Sequence, residues 1–263
     1  MAFKTEMISV RDGMFEVETR CAGSGEPLVW LHHSGGHQDW FPFLDALAEK
    51  YMVFQPNHPG WGKSTGLEHL DDVIDFAIFY LDFFDAISAT RPLLIGHSLG
   101  GMVAAEVAAL DRDSVRKLVL CDPAGLWSED HPGEDLFTMQ PPQLVAANVR
   151  KPENMALLGP PIDRENMQAV ARAMFERQKS MASAAKFLWP IWDKGLKKRI
   201  HRITAPTLIV WGKYDGVVPP EYAEDFHKAI AGSSVEMFEE SAHMPMFEEP
   251  EKFDRVVKAF LAE

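Results

Sequence analysis

The sequence predicts an α/β protein with a mostly parallel central sheet flanked by helices and one helical insertion. Three observations predict it. Continuous apolar runs such as Pro27–His32 and Val115–Cys121 mark strands buried on both faces, as a parallel sheet requires. These runs alternate with stretches of helical spacing, the pattern of strands joined by crossover helices. The alternation stops at Pro123 and resumes at Thr207. This divides the chain into a core, 1–122 and 206–263, and an insertion, 123–205, placed after the sixth strand.

Taken in order, residues 5–10 and 13–20 alternate apolar and polar around Arg11-Asp12-Gly13 and read as a hairpin near the sheet edge. Pro27–His32 is the next strand, followed by a loop and a helix through Phe41, Leu44, Leu47 and Ala48. Tyr51–Gln55 is a strand. Leu70, Val73, Ile74, Ala77, Ile78, Leu81 and Phe84 then keep helical spacing. Leu93–Ile95, between Pro92 and Gly96, is a central strand, and Met102–Leu110 is a helix whose one charge is Glu106. After the Val115–Cys121 strand comes the insertion, with eight prolines from Pro123 to Pro190, five methionines from Met139 to Met181, and Trp127, Trp189 and Trp192. Helical spacing within it is clearest at Met167, Val170, Ala171 and Met174. Thr207–Trp211, Pro220–Ile230, Val235–Phe238 and Pro250–Leu261 complete the core as strand, helix, strand and helix.

A 263-residue chain with 46% apolar and 25% charged residues is that of an ordinary globule with a large core. A net charge of −13 argues against nucleic acid and anionic membrane surfaces as partners. No apolar run approaches the length that spans a bilayer and the N-terminus lacks a leader's apolar stretch, so a cytoplasmic monomer or homodimer is expected. Cys21 and Cys121 fall on separate strands and read as buried free thiols. The basic run Lys194–Arg202 reads as a solvated helix face.

Chemistry concentrates at Gly96-His97-Ser98-Leu99-Gly100, a GxSxG run between a strand and a helix. The glycines let a sharp turn close, and the turn exposes the Ser98 hydroxyl at a helix N-terminus, where backbone N–H groups can meet a developing oxyanion. A serine needs a base, and the base needs an orienting acid. Functional groups in open α/β sheets come from loops at the carboxyl ends of strands. Two such loops hold Trp211-Gly212-Lys213-Tyr214-Asp215-Gly216-Val217-Val218-Pro219 and Ser241-Ala242-His243-Met244-Pro245.

The order Ser98, Asp215, His243, with the wording of both loops, resembles the α/β-hydrolase family. The likeness spans nearly the whole chain outside the insertion. It implies a triad in which Ser98 is nucleophile, His243 base and Asp215 acid. Asp122, after the preceding strand, is a rival acid, because a few members of the fold carry the acid there; the motif around Asp215 favours Asp215. The likeness also makes 123–205 a helical cap, or lid, and gives the oxyanion hole to the N–H groups of Ser34 and Leu99. His33 stands where the family has glycine, which puts an imidazole near the pocket. His97 reads as a packing residue. His32, His33 and His37 invite a metal, yet no Asp or Glu joins them in a ligand pattern, so neither metal nor cofactor is expected.

A serine at the turn disfavours dehalogenases and epoxide hydrolases, whose resemblance would require Asp. Meta-cleavage hydrolases typically show Trp after the histidine, where this chain has Met244. Cleavage of small to medium hydrophobic carboxylic esters through an acyl-enzyme therefore ranks first, with His33, Trp127, Trp189 and Met244 as substrate contacts. A carbon–carbon or lactone hydrolase ranks second, and a ligand-binding receptor with slow or no turnover is the alternative of another class.

Overall fold

The buried apolar runs become strands in the expected places. A computed structural model describes residues 2–37, 40–151, 154, 163, 165–191 and 193–263; Trp192, Met155 and the prolines at 152, 160 and 161 lie outside them. The strands are β1 (Lys4–Val10), β2 (Phe15–Ala22), β3 (Pro27–Leu31), β4 (Met52–Pro56), β5 (Leu93–His97), β6 (Lys117–Cys121), β7 (Thr207–Gly212) and β8 (Ser234–Phe238). The helices are α1 (Phe43–Ala48), α2 (Val73–Ala86), α3 (Leu99–Leu110), α4 (Pro141–Asn148), α5 (Met167–Leu188), α6 (Tyr222–Ala229), α7 (Pro245–Glu248) and α8 (Pro250–Ala262).

All eight strands join one sheet in the order β1-β2-β4-β3-β5-β6-β7-β8. The β1–β2 and β2–β4 pairs are antiparallel and the others parallel. From β3 the chain steps to β4 on one side, then returns to β5 on the other. That reversal opens a crevice between the carboxyl ends of β3 and β5, the usual binding place in an open α/β sheet. Alternate residues of the central strands feed two apolar layers, one shared with α2, α3 and α6, the other with α1 and α8.

Three local readings change. The helical spacing that begins at Leu70 becomes a helix only from Val73, because the Asp72 carboxylate caps it by accepting from the N–H groups of Ile74 (2.7 Å) and Asp75 (3.1 Å). The buried face of α2 is its aromatic one, Phe76, Phe79, Tyr80 and Phe83, while Ile78 is exposed. Aromatic rings remove more apolar area from water, so they take the core side. In α5 the residues that read as an apolar stripe, Met167 and Met174, are exposed together with Phe175; burial falls at the other end, on Ser183, Ala184, Phe187 and Leu188.

The third change concerns the basic run. It forms two single turns of 3-10 helix, Leu196–Lys198 and Ile200–Arg202. Arg199 reaches the fully buried Glu106 on α3 with two hydrogen bonds, 2.7 and 2.6 Å, and Arg202 donates to the Ala109 carbonyl at 2.8 Å. The run pins the segment that leads into β7 to α3. Cys21 and Cys121 are buried free thiols. Among the described residues no helix is long and apolar enough to cross a membrane.

Candidate active site

Ser98 occupies the single-residue junction between β5 and α3, at φ 57° and ψ −116°. Such a conformation costs a residue with a side chain roughly 1–3 kcal/mol and persists only where neighbours enforce it. Here the Ser98 N–H donates to the Cys121 carbonyl (3.0 Å), and its own carbonyl accepts from Met102 (3.0 Å) and Ala124 (3.1 Å). A Cβ on Gly96 would lie 2.3 Å from the Gly100 carbonyl oxygen, and one on Gly100 would lie 2.3 Å from that of Leu31. Both glycines of the motif are thus required by close backbone approach, and the second brings the loop after β3 against the turn.

His243 lies in the loop between β8 and α7. Its Nδ1 meets Asp215 Oδ2 at 2.7 Å, while Asp215 Oδ1 accepts from the N–H groups of Val217 (2.7 Å) and Val218 (3.0 Å). Those donors fix the carboxylate plane. A carboxylate beside Nδ1 requires the proton on that nitrogen. A Cβ on Gly212 would fall 1.7 Å from the Ala242 carbonyl oxygen, so the acid and histidine loops touch through a glycine. Glu248 accepts from the Ala242 N–H (2.7 Å) and Glu249 from the Ser241 hydroxyl (2.7 Å), which explains the acidic residues that follow the histidine.

His97, read from sequence as packing, does more. Its Nε2 donates to the His243 backbone carbonyl at 2.7 Å, tying the residue before Ser98 to the loop that carries His243. Burial holds its pKa well below the usual imidazole value, with a further push from neighbouring histidines, so it is neutral. A lone histidine before the serine offered no sequence signal for this contact, which spans 146 positions.

Three further buried histidines, His32, His37 and His58, are satisfied by protein groups. His32 Nδ1 donates to the His33 carbonyl (2.6 Å), and its Nε2 accepts from the His58 N–H (3.0 Å). His58 Nε2 donates to the His32 carbonyl (2.9 Å), while its Nδ1 pairs with the Tyr80 hydroxyl. His37 lies between Arg20 (2.9 Å) and the Pro56 carbonyl (3.1 Å). Desolvation pushes the pKa values of all three down, that of His58 to about 3. None keeps a free lone pair for a metal. Asp122, Asp215 and His243 bring ligand atoms within 4.8 Å of one another, but His243 Nδ1 and Asp215 Oδ2 are already hydrogen-bonded to each other.

Among the remaining sequence-predicted residues, Ser34 lies in the turn after β3, its N–H without an acceptor among the described residues, and its carbonyl accepts from Trp61 Nε1 at 2.8 Å. Leu99 opens α3, where the first N–H groups have no partner within the helix. A cavity of about 50 Å³ includes Ser98 and is walled by Met102, Leu126, Trp127, Leu188, Val217 and Tyr222, among others. Trp127 thus reaches it. Trp189 ends α5 at a proline and is 58% exposed, and Met244 is buried in the layer with α1 and α8, so neither is among the cavity-lining residues. His33 lies outside the lining too; it accepts from the Gly35 N–H at 3.0 Å, and burial with nearby His243 lowers its pKa to about 3. Val217, Val218 and Lys194, which do line the cavity, were not singled out for it from sequence, because their approach depends on how the loop after β7 and the end of the insertion fold back.

A serine on a strand-to-helix turn, with a hydrogen-bonded aspartate and histidine in the loops after β7 and β8, defines a class of fold. Residues 27–250 match the family described as the alpha/beta hydrolase fold, and the chain belongs to it. It is 29% identical to a pimeloyl-[acyl-carrier protein] methyl ester esterase of Photobacterium profundum, over 91% of this chain and 96% of that protein. It is 29% identical to Lipase 1 of Psychrobacter immobilis, over 90% of this chain and 77% of that one. Among solved structures it resembles a membrane phospholipase A, with TM-score 0.83 and 26% identity over 99% of this chain and 86% of that one. A meta-cleavage product hydrolase from Pseudomonas fluorescens shares the fold, with TM-score 0.79 and 19% identity over 98% and 97% of the two chains.

Proposed function

We propose that the chain hydrolyses carboxylic esters through a Ser98–His243–Asp215 triad and an acyl-enzyme. The observation that carries the reading is the 2.7 Å bond between His243 Nδ1 and Asp215 Oδ2, with the second Asp215 oxygen held by two backbone N–H groups. That bond sets the tautomer a serine nucleophile needs. His243 Nε2 takes the Ser98 proton as Oγ attacks the ester carbonyl, then returns it to the leaving alcohol. Water, deprotonated by the same imidazole, cleaves the acyl-enzyme. The N–H groups of Leu99 and Ser34 receive the oxyanion, a contribution of roughly 2.7–4 kcal/mol per donor in comparable sites. Relatives named esterase and lipase support the ester class; likeness to meta-cleavage hydrolases at 19% identity speaks to the fold alone.

Residues 123–205 act as the cap over this site. Leu126, Trp127, Leu136 and Leu188 come from that segment, so it supplies much of the cavity wall. The apolar wall formed by Leu126, Trp127, Leu136 and Leu188 suits small to medium hydrophobic acyl groups. The test is the intact mass after fluorophosphonate treatment of the native chain and of Ser98→Ala, followed by an aryl-ester chain-length series. A single adduct lost in the variant, with rates falling well before about ten acyl carbons, is expected. No adduct on the native chain overturns the reading and brings the ligand-binding receptor forward.

A further inference from the structure

The triad leaves Asp122 unused. It sits at the carboxyl end of β6, 0% exposed, in the left-handed region at φ 44°, with Oδ1 accepting the Gly212 N–H at 2.8 Å. Its second oxygen has no donor among the described residues. What it meets is another carboxyl: one oxygen of Asp122, one of Asp215 and a ring nitrogen of His243 all lie within 4.8 Å of one another.

Two ionised carboxylates facing each other away from water are disfavoured twice, by mutual repulsion and by lost hydration, so one keeps a proton. The donors decide which. Asp215 receives three N–H groups, from Val217, Val218 and His243, whereas Asp122 receives one, from Gly212. Each donor stabilises the ionised form, so the charge belongs on Asp215 and the proton on Asp122. Burial first, then the Asp215 charge, raises the Asp122 pKa well above the carboxylate range, and Glu248 on α7 adds to it. The Cys121 thiol beside it is itself pushed up by burial and is uncharged.

We propose that Asp122 is a neutral carboxylic acid whose O–H donates to Asp215, making it a positioning residue that holds the triad acid toward His243. The inference rests on the triad reading above. It makes Gly212, Asp122, Asp215 and His243 one hydrogen-bonded chain across the ends of β6, β7 and β8. It also means that part of the Asp215 charge is shared before the imidazolium forms.

The experiment compares native protein, Asp122→Asn and Asp122→Ala by the pH profile of kcat/KM on a short-acyl aryl ester, with infrared spectra at neutral pH. Asparagine keeps a donor toward Asp215 and an acceptor for Gly212 and is neutral like the acid. Its rate is expected within about threefold of native. Its acid limb is expected to stay in place, because no charge beside His243 has changed. Alanine removes the donor and is expected to lower kcat about 10–100-fold, the usual cost of an orienting partner. The native spectrum is expected to carry a protonated-carboxyl C=O band that Asp122→Asn lacks. An acid limb displaced downward by about one pH unit in Asp122→Asn would mean that a charged carboxylate had been removed, and overturns the proposal. So does native kcat in Asp122→Ala, or the absence of the band. If alanine fails to fold, the asparagine profile and the band decide. A native chain that neither turns over the ester nor labels at Ser98 defeats the triad reading instead, while the infrared band still reports on Asp122.

Discussion

The exits of β6 and β7 begin alike and end in different work. Each delivers a buried aspartate within one or three residues of the strand end, Asp122 and Asp215, 0% and 7% exposed. The β7 exit folds tightly back on its own carboxylate through Val217 and Val218 and meets the histidine loop. The β6 exit gives its aspartate no donor of its own, the one N–H coming from Gly212 at the end of β7, and then runs on to place Ala124, Gly125, Leu126 and Trp127 along the cavity. Residue type and strand-end position are shared; the supply of N–H donors differs. Both exits reach the cavity wall, through Val217 and Val218 on one side and Leu126 and Trp127 on the other, so the supply of donors to the carboxyl is what separates them.

The largest expected effect breaks the comparison if it fails. Asp215→Asn is expected to lower kcat about 10⁴-fold, as loss of the orienting carboxylate does in comparable triads, measured by steady-state ester hydrolysis. A small loss there, with a large one in Asp122→Asn, would exchange the two exits. Next comes the segment that leads into β7. Arg199→Ala leaves Glu106 buried without its cation and is expected to cost about 3–5 kcal/mol of stability in urea unfolding. The pair Glu106→Leu with Arg199→Met is expected to recover much of that loss, since packed apolar groups replace buried ion pairs at little cost.

A third prediction concerns buried groups that stay uncharged. His32, His37, His58 and His97 have folded pKa values depressed below 6.5 by burial. The unfolded chain protonates them first as pH falls, so their contribution is complete above about pH 6.5 and is lost below it, at up to roughly 1.4 kcal/mol per pH unit for each. Urea midpoints should fall between pH 7.5 and 5; a flat profile would contradict the neutral assignments. Smaller still, His97→Phe is expected to lower kcat about tenfold by releasing the His243 carbonyl, the net worth of one buried hydrogen bond. Trp127→Ala, on the β6 exit, is expected to raise KM a few-fold with kcat nearly unchanged, which sharpens the division between wall and chemistry.

Much of this was legible because it is local. The strand alternation, the Gly96 and Gly100 positions around Ser98, and the spacing of the Asp215 and His243 loops rest on short-range rules of burial and turn geometry. Less legible were residues whose role needs a distant partner. His97 bonding the His243 carbonyl and Arg199 bonding Glu106 cross 146 and 93 positions. The Met167 and Met174 stripe misled for a related reason: periodicity marks a face, and only the neighbour at hand decides whether it is covered.

By itself the sequence determined a parallel-rich α/β core, an interruption after the sixth strand, and a serine, an acid and a histidine each placed just past a strand end. These follow from hydrophobic period and from backbone sterics, which act within a few residues. Tertiary structure alone decided how many donors each aspartate receives, which histidines are locked as neutral donors, and which side chains face the cavity. Those depend on donors and walls arriving from other strands, and an aspartate's charge is set by what surrounds it in space rather than by its neighbours in the chain.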